Sequence, residues 1–189
     1  MSASAKTAVL PKVRIATISL AGCFGCHTSF LDIDERIFEL AKIAEFDRSP
    51  ITDIKHCGPC DIALIEGGVC NAENVQVLRE MRANAKMLVA IGACAITGGL
   101  PAMRNRLDIG DVLNEVYCDL DGAQLHVPND PELPLLFDKV YPVNEIVRVD
   151  YFIPGCPRRD LEISERSDSG AHAASRSQSR ITISLRADS

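Results

Sequence analysis

The sequence predicts an α/β fold built on a doubly wound, mainly parallel sheet, and three observations carry that prediction. Apolar runs at 13–20, 61–68 and 87–94 lack the strict alternation of a half-exposed strand, as expected for strands covered on both faces. Between them, apolar residues recur at three- and four-residue steps, the spacing of helices that cover such a sheet. Cys23, Cys26, Cys94 and Cys156 each follow the C-terminal end of a predicted strand, the edge on which this architecture collects ligands.

In chain order, residues 1–12 are small and polar and read as a mobile arm or docking segment. Val13, Ile15, Ile18 and Leu20 mark the first strand. A helix follows over about 28–46, with Phe30, Ile33, Ile37, Leu40, Ala41 and Ala44 on one face, Thr28 or Ser29 as cap, and Asp32, Asp34 and Glu35 on a solvated face. A linker through Pro50 leads past 51–54 to the second strand, 61–68, which ends in Gly67-Gly68. Residues 71–84 form a helix with Val75, Leu78 and Met81 on one side, 87–94 the third strand, and about 109–117 another helix. Pro128, Pro131, Pro134 and Pro142 make 119–142 an irregular excursion over the surface, and 143–153 offers a last extended segment. Residues 158–189, with eight serines, six arginines and no lysine, read as a disordered tail, which leaves 13–157 as the folded domain.

The net charge of -6 and a charged fraction of 24% lack the basic stripe of a nucleic-acid binder. No apolar run approaches the ~20 residues of a membrane span, and the first residues lack the apolar segment of a signal peptide, so the expected location is the cytoplasm. There, eight cysteines call for metal ligation or burial rather than a disulfide framework.

Cys23-Phe-Gly-Cys26 can bite one metal centre from one tight turn, and Gly-Ala-Cys94 and Pro-Gly-Cys156-Pro reach the same edge, so four thiolates suffice for a cubane iron–sulfur cluster. Rival assignments are a structural zinc held by Cys23, Cys26, Cys57 and Cys60, whose pairs stand further apart than in a zinc ribbon, and an FMN module, for which no phosphate-cradling loop follows the first strand. Cys57-Gly-Pro-Cys60 has the letters of a thioredoxin motif, but a strand follows where a helix would be needed to activate the thiol. Cys70 and Cys118 read as structural and His27 as a solvated residue near a turn. Glu66, at a strand end on the cysteine edge, reads as a proton relay or a turn cap.

Ser29-Phe-Leu-Asp-Ile-Asp-Glu-Arg36, Gly92-Ala-Cys-Ala95, Gly98-Gly-Leu-Pro-Ala-Met-Arg-Asn105 and Asp150-Tyr-Phe-Ile-Pro-Gly-Cys-Pro157 together resemble the small subunit of [NiFe]-hydrogenases, most of all the cytoplasmic NAD-reducing type, from about Lys12 to Pro157. The resemblance implies a flavodoxin-like fold and one [4Fe–4S] cluster, proximal to a nickel–iron site in a large subunit, with Cys23, Cys26, Cys94 and Cys156 at the ligand positions. It implies as partners that large subunit and a diaphorase module with FMN and further clusters, and it matches Glu66 to a glutamate near proton traffic. The family pattern continues with a second proline and an apolar helix, where this chain has Arg158-Arg159.

Overall fold

The structure, a computed structural model, describes residues 11–119 and 126–157, all within one compact unit. The arm and tail expected at 1–12 and 158–189 lie outside the described residues, apart from Pro11 and Lys12.

The described elements are β1 (Val13–Ser19), α1 (Gly25–Leu31), α2 (Arg36–Ile43), β2 (Ala44–Phe46), β3 (Cys60–Glu66), β4 (Val69–Asn71), α3 (Ala72–Asn84), β5 (Ala85–Ile91), α4 (Gly92–Thr97), α5 (Ile109–Asn114), β6 (Leu136–Tyr141) and β7 (Tyr151–Ile153). β2, β1, β3, β5 and β7 form one sheet in that order, every neighbouring pair parallel. This is the flavodoxin-like doubly wound order, as the sequence predicts.

Successive side chains of a strand point to opposite faces, and the core divides accordingly. Ala16 and Ile65 join one cluster, where Leu78 and Met81 of α3 are fully buried, while Ile15 and Leu64 join another with Phe30, Ile33 and Leu40 from α1, α2 and the bend between them. Both faces are therefore covered, which is why the strands read as apolar throughout.

The predicted helix over 28–46 is instead two helices and an edge strand. Asp34 adopts φ 52, a left-handed conformation that Asp tolerates better than most residues, and it breaks the helix between Leu31 and Arg36. Asp32, Asp34 and Glu35 are exposed, as expected. Neither Thr28 nor Ser29 caps the helix. It starts at Gly25 behind Phe24 in the left-handed region, and the Thr28 hydroxyl donates to the Phe24 carbonyl at 3.1 Å.

The 119–142 excursion is also corrected in its last third. The prolines flank 136–141 rather than interrupt it, so β6 is free to pair antiparallel with β4 and to bury Val140. Asn105 holds this pair from the side: its amide donates to the Val140 carbonyl at 2.9 Å and accepts from the Val140 N–H at 2.7 Å. The last extended segment, predicted over 143–153, is strand only at β7, after a short 3-10 turn at Val143–Glu145. The helix of 71–84 is as predicted, with the Asn71 side chain accepting from Asn74 N–H at 2.7 Å as its cap.

Two carboxylates tie strands together. Asp61 accepts from Arg14 N–H at 2.9 Å and from Lys86 Nζ at 2.7 Å, and Asp150 accepts from Leu88 N–H at 2.8 Å and from Arg82 Nη1 at 2.6 Å. The Lys86 hydrogen bond chiefly holds the Asp61 carboxyl below its usual range, and the Leu88 N–H chiefly does so for Asp150.

Asn105→Ala should cost about 1–3 kcal/mol, because it leaves both Val140 backbone groups without their side-chain partner, and urea unfolding measures it. A folded carboxyl pKa below the unfolded value of about 3.9 contributes stability that is complete above that pH and is lost as pH falls through the folded value. The urea midpoint should therefore drop on acidification below about pH 4, with a shallower drop in Asp150→Asn.

Candidate metal centre

The loops that follow β1, β3, β5 and β7 converge at the C-terminal edge and are tied to one another by main-chain hydrogen bonds. Leu20 N–H donates to the Glu66 carbonyl at 2.9 Å, and Ala21 and Gly68 exchange a pair at 2.9 and 2.8 Å. Gly67 (φ 83) makes this closeness possible, since a Cβ there would fall 2.7 Å from the Leu20 carbonyl carbon. On the other side, Ala93 N–H donates to the Gly155 carbonyl at 2.7 Å. Gly92 (φ 83) joins the two halves, because any side chain at this position would collide with Cys26 Sγ.

These ties bring Cys23, Cys26, Cys94 and Cys156 to one place. Cys23 and Cys156 are exposed, Cys26 and Cys94 half-buried, and all four are free thiols. Burial pushes the Cys26 thiol up to about 12, helped by Glu66 and then by Cys23 and Cys94, and burial raises Cys94, helped by Cys156 and Cys23. Cys26 and Cys94 thus resist ionising beside the other thiols until a cation compensates the charge.

The donor set is soft, four sulfurs from the three segments that follow β1, β5 and β7. Among the described residues, no three His, Cys, Asp or Glu side chains converge tightly enough to hold a single ion. A zinc holds its sulfurs about 2.3 Å from one point. A cubane is a larger body whose thiolate ligands stand further apart, and cysteine thiolates are the ligands it takes.

Glu66 lies beneath this site, only 3% exposed. Oε1 accepts from the Ser19 hydroxyl at 2.6 Å and Oε2 from His27 N–H at 2.9 Å, and His27 Nδ1 lies 3.3 Å from Oε1. Burial is the largest influence on its carboxyl and would raise it, but these donors outweigh burial and hold it below the usual range. His27 N–H belongs to the first turn of α1, where amides have no partner within the helix, so a carboxylate from β3 caps the helix that carries Cys26.

The sequence reading of His27 as solvated is corrected, since it is 6% exposed and stacked on Phe24 with ring centroids 4.9 Å apart. Its Nε2 has no partner among the described residues and lies by a cavity of about 10 Å³, room for one water, lined in part by Thr17, Cys26 and Glu66. Ser19 and His27 were invisible to sequence reasoning as partners of Glu66, although the alignment of Ser19 with Glu66 follows from the β1–β3 register.

Cys57 and Cys60 sit at the other end of β3. From Cys60 to Glu66 the strand spans about 20 Å, so Cys23, Cys26, Cys57 and Cys60 are not brought together and the zinc assignment is excluded. Cys70 is half-buried, its Sγ 3.4 Å from Asn74 Oδ1, and Cys118 Sγ lies 4.0 Å from Asn114 Oδ1.

Residues 23–166 match the family model described as NADH ubiquinone oxidoreductase, 20 Kd subunit. The chain is 46% identical over 151 residues to the NAD-reducing hydrogenase HoxS subunit delta of Cupriavidus necator, covering 77% of this chain and 72% of that one. It is 36% identical over 157 residues to a subunit of the F420-non-reducing hydrogenase of Methanothermobacter thermautotrophicus, over 78% of this chain and 50% of that one. A crystal structure of NAD+-reducing [NiFe]-hydrogenase in the H2-reduced state superposes with TM-score 0.76 at 62% identity, over 78% of this chain and 84% of that chain. A [NiFeSe]-hydrogenase from Dm. baculatum, at TM-score 0.52 and 16% identity, shares the fold. The chain therefore belongs to the NADH:ubiquinone oxidoreductase 20 kDa subunit family and stands within it beside the small subunits of NAD-reducing [NiFe]-hydrogenases.

Proposed function

We propose that this chain conducts electrons within an NAD-reducing [NiFe]-hydrogenase, with Cys23, Cys26, Cys94 and Cys156 as the ligands of one [4Fe–4S] cluster. The observation that carries this reading is the gathering of four thiols at one sheet edge by mutually bonded loops. When bound, such a cluster accepts and returns single electrons. The nickel–iron centre, FMN and further clusters belong, in this reading, to the large subunit and the diaphorase subunits, and no bond to hydrogen is made on this chain.

The residues here bind, orient and exclude water. Cys26 and Cys94 come from half-buried positions, and Gly92 lets the β5 loop close against Cys26. Cys23 and Cys156 are exposed, so a covering surface is needed to keep water from a cluster at this edge. Leu100 and Met103 follow the Cys94 loop and are 71% and 67% exposed, which fits such a contact with the large subunit. The described residues include no helix long and apolar enough to cross a membrane.

Glu66 serves best as a latch. Its Oε2 accepts from the main-chain N–H of His27 and its Oε1 from the Ser19 hydroxyl, which holds the carboxylate against the start of α1. Its charge caps the turn that presents Cys26.

Serine at Cys23, Cys26, Cys94 or Cys156 replaces a thiolate with a harder, less readily ionised oxygen and should abolish or deplete the iron and, with it, hydrogen-driven NAD reduction in the assembled complex. Alanine at Cys57, Cys60, Cys70 or Cys118 should leave about four irons per chain and cost at most ~1–2 kcal/mol of stability. Colourless wild-type protein with one zinc would refute the cluster. Glu66→Ala should loosen the Cys26 turn and lower the iron content, whereas a relay role predicts full iron and slowed turnover.

A further inference from the structure

The Cys57-Gly-Pro-Cys60 motif takes no part in the site just described, and its surroundings give it a chemistry of its own. Cys57 precedes β3 and Cys60 opens it, at the N-terminal edge of the sheet, away from the four ligand thiols. Cys57 is 6% exposed and Cys60 3%, packed with Ala16, Ala63 and Ala85, while Gly58 and Pro59 between them reach the surface.

Both main chains are anchored. Cys57 N–H donates to Glu80 Oε1 at 2.8 Å, with Arg48 Nη1 3.2 Å from the same carboxylate's Oε2, and Cys60 is in register with Ala85 of β5. Cys57 Sγ donates to the Gly58 carbonyl at 3.3 Å, and the two thiols are close enough for each to influence the other's ionisation. Among the described residues, no third His, Cys, Asp or Glu converges with them closely enough to hold an ion.

We propose that Cys57 and Cys60 form a dithiol–disulfide couple, a reversible redox modification site that closes the turn at the start of β3 when the protein meets a low-molecular-weight disulfide. The Cys60 thiol, on losing its proton, attacks one sulfur of the oxidant, forming a mixed disulfide and releasing one thiol. Cys57 Sγ then displaces the second. Two protein thiols lose two protons and two electrons, and one small disulfide becomes two thiols, so the step balances. This is not thioredoxin catalysis, since no helix begins at Cys57 to activate it. Burial pushes the Cys57 thiol up to about 12, which makes the pair a slow couple. The oxidant reaches it by opening of the irregular segment before β3, where residues 53–56 are already exposed.

The test uses the assembled complex, incubated with glutathione disulfide, alkylated, digested and mapped by mass. The expected result is that Cys57 and Cys60 lose alkylation together, in a linked peptide lighter by two hydrogens, and regain it after dithiothreitol, with iron content unchanged. In Cys57→Ser, which cannot complete the second displacement, glutathione should remain on Cys60. Urea-unfolded protein treated alongside shows that the reagent is competent. If both thiols stay alkylatable in the native complex while the unfolded sample is oxidised, or if each takes up glutathione separately in the wild type, the proposal fails.

Discussion

A buried carboxylate that caps a helix of another segment is the constraint on which the cysteine edge depends. Glu66 ends β3 only 3% exposed, so its charge depends on the donors around it, the Ser19 hydroxyl and the His27 main-chain N–H and ring. One of them is the main-chain N–H of His27, next to Cys26. A displaced Glu66 would leave a buried charge unpaired and an amide at the start of α1 without its partner. The α1 start is thus positioned from β3, and the seven-residue helix need not be stable by itself.

The two edges of the sheet are built differently. At the C-terminal edge, loops approach through Gly67 and Gly92 and join by main-chain hydrogen bonds, which leave the thiols facing a common space. Near the starts of the strands, charged side chains bridge neighbours, with Asp61 between β1 and β5 and Glu80 between Arg48 and the Cys57 amide. Main-chain ties fix position to within a fraction of an ångström, as a multi-ligand centre needs, whereas ion pairs near the surface hold long side chains loosely.

The sheet was legible because burial on both faces writes continuous apolar runs, and so was the position of the four cysteines at its C-terminal edge, because strand ends could be counted from those runs. The break at Asp34 was not legible: the apolar spacing of Phe30, Ile33, Ile37 and Leu40 continues through it, since both short helices turn the same side to the core. β6 was hidden by flanking prolines, whose positions outside Leu136–Tyr141 leave its ladder intact. The burial of His27 is a tertiary fact. A histidine beside a cysteine turn carries no local sign that a carboxylate thirty-nine residues away will accept from its backbone.

Two motifs with the same spacing show how far position, rather than letters, sets cysteine chemistry. Cys23 and Cys26 lie where the chain leaves the sheet and enters α1, with an exposed first sulfur and two more thiols arriving on the segments after β5 and β7. Cys57 and Cys60 lie in a turn that enters the sheet, the second of them already in the β3 ladder opposite Ala85, and both are buried in the apolar core. A soft metal centre needs several sulfurs, and further thiols share the edge of the first pair but not that of the second. What the second pair retains is proximity, and two adjacent thiols held by their own backbone have the disulfide as their nearest chemistry.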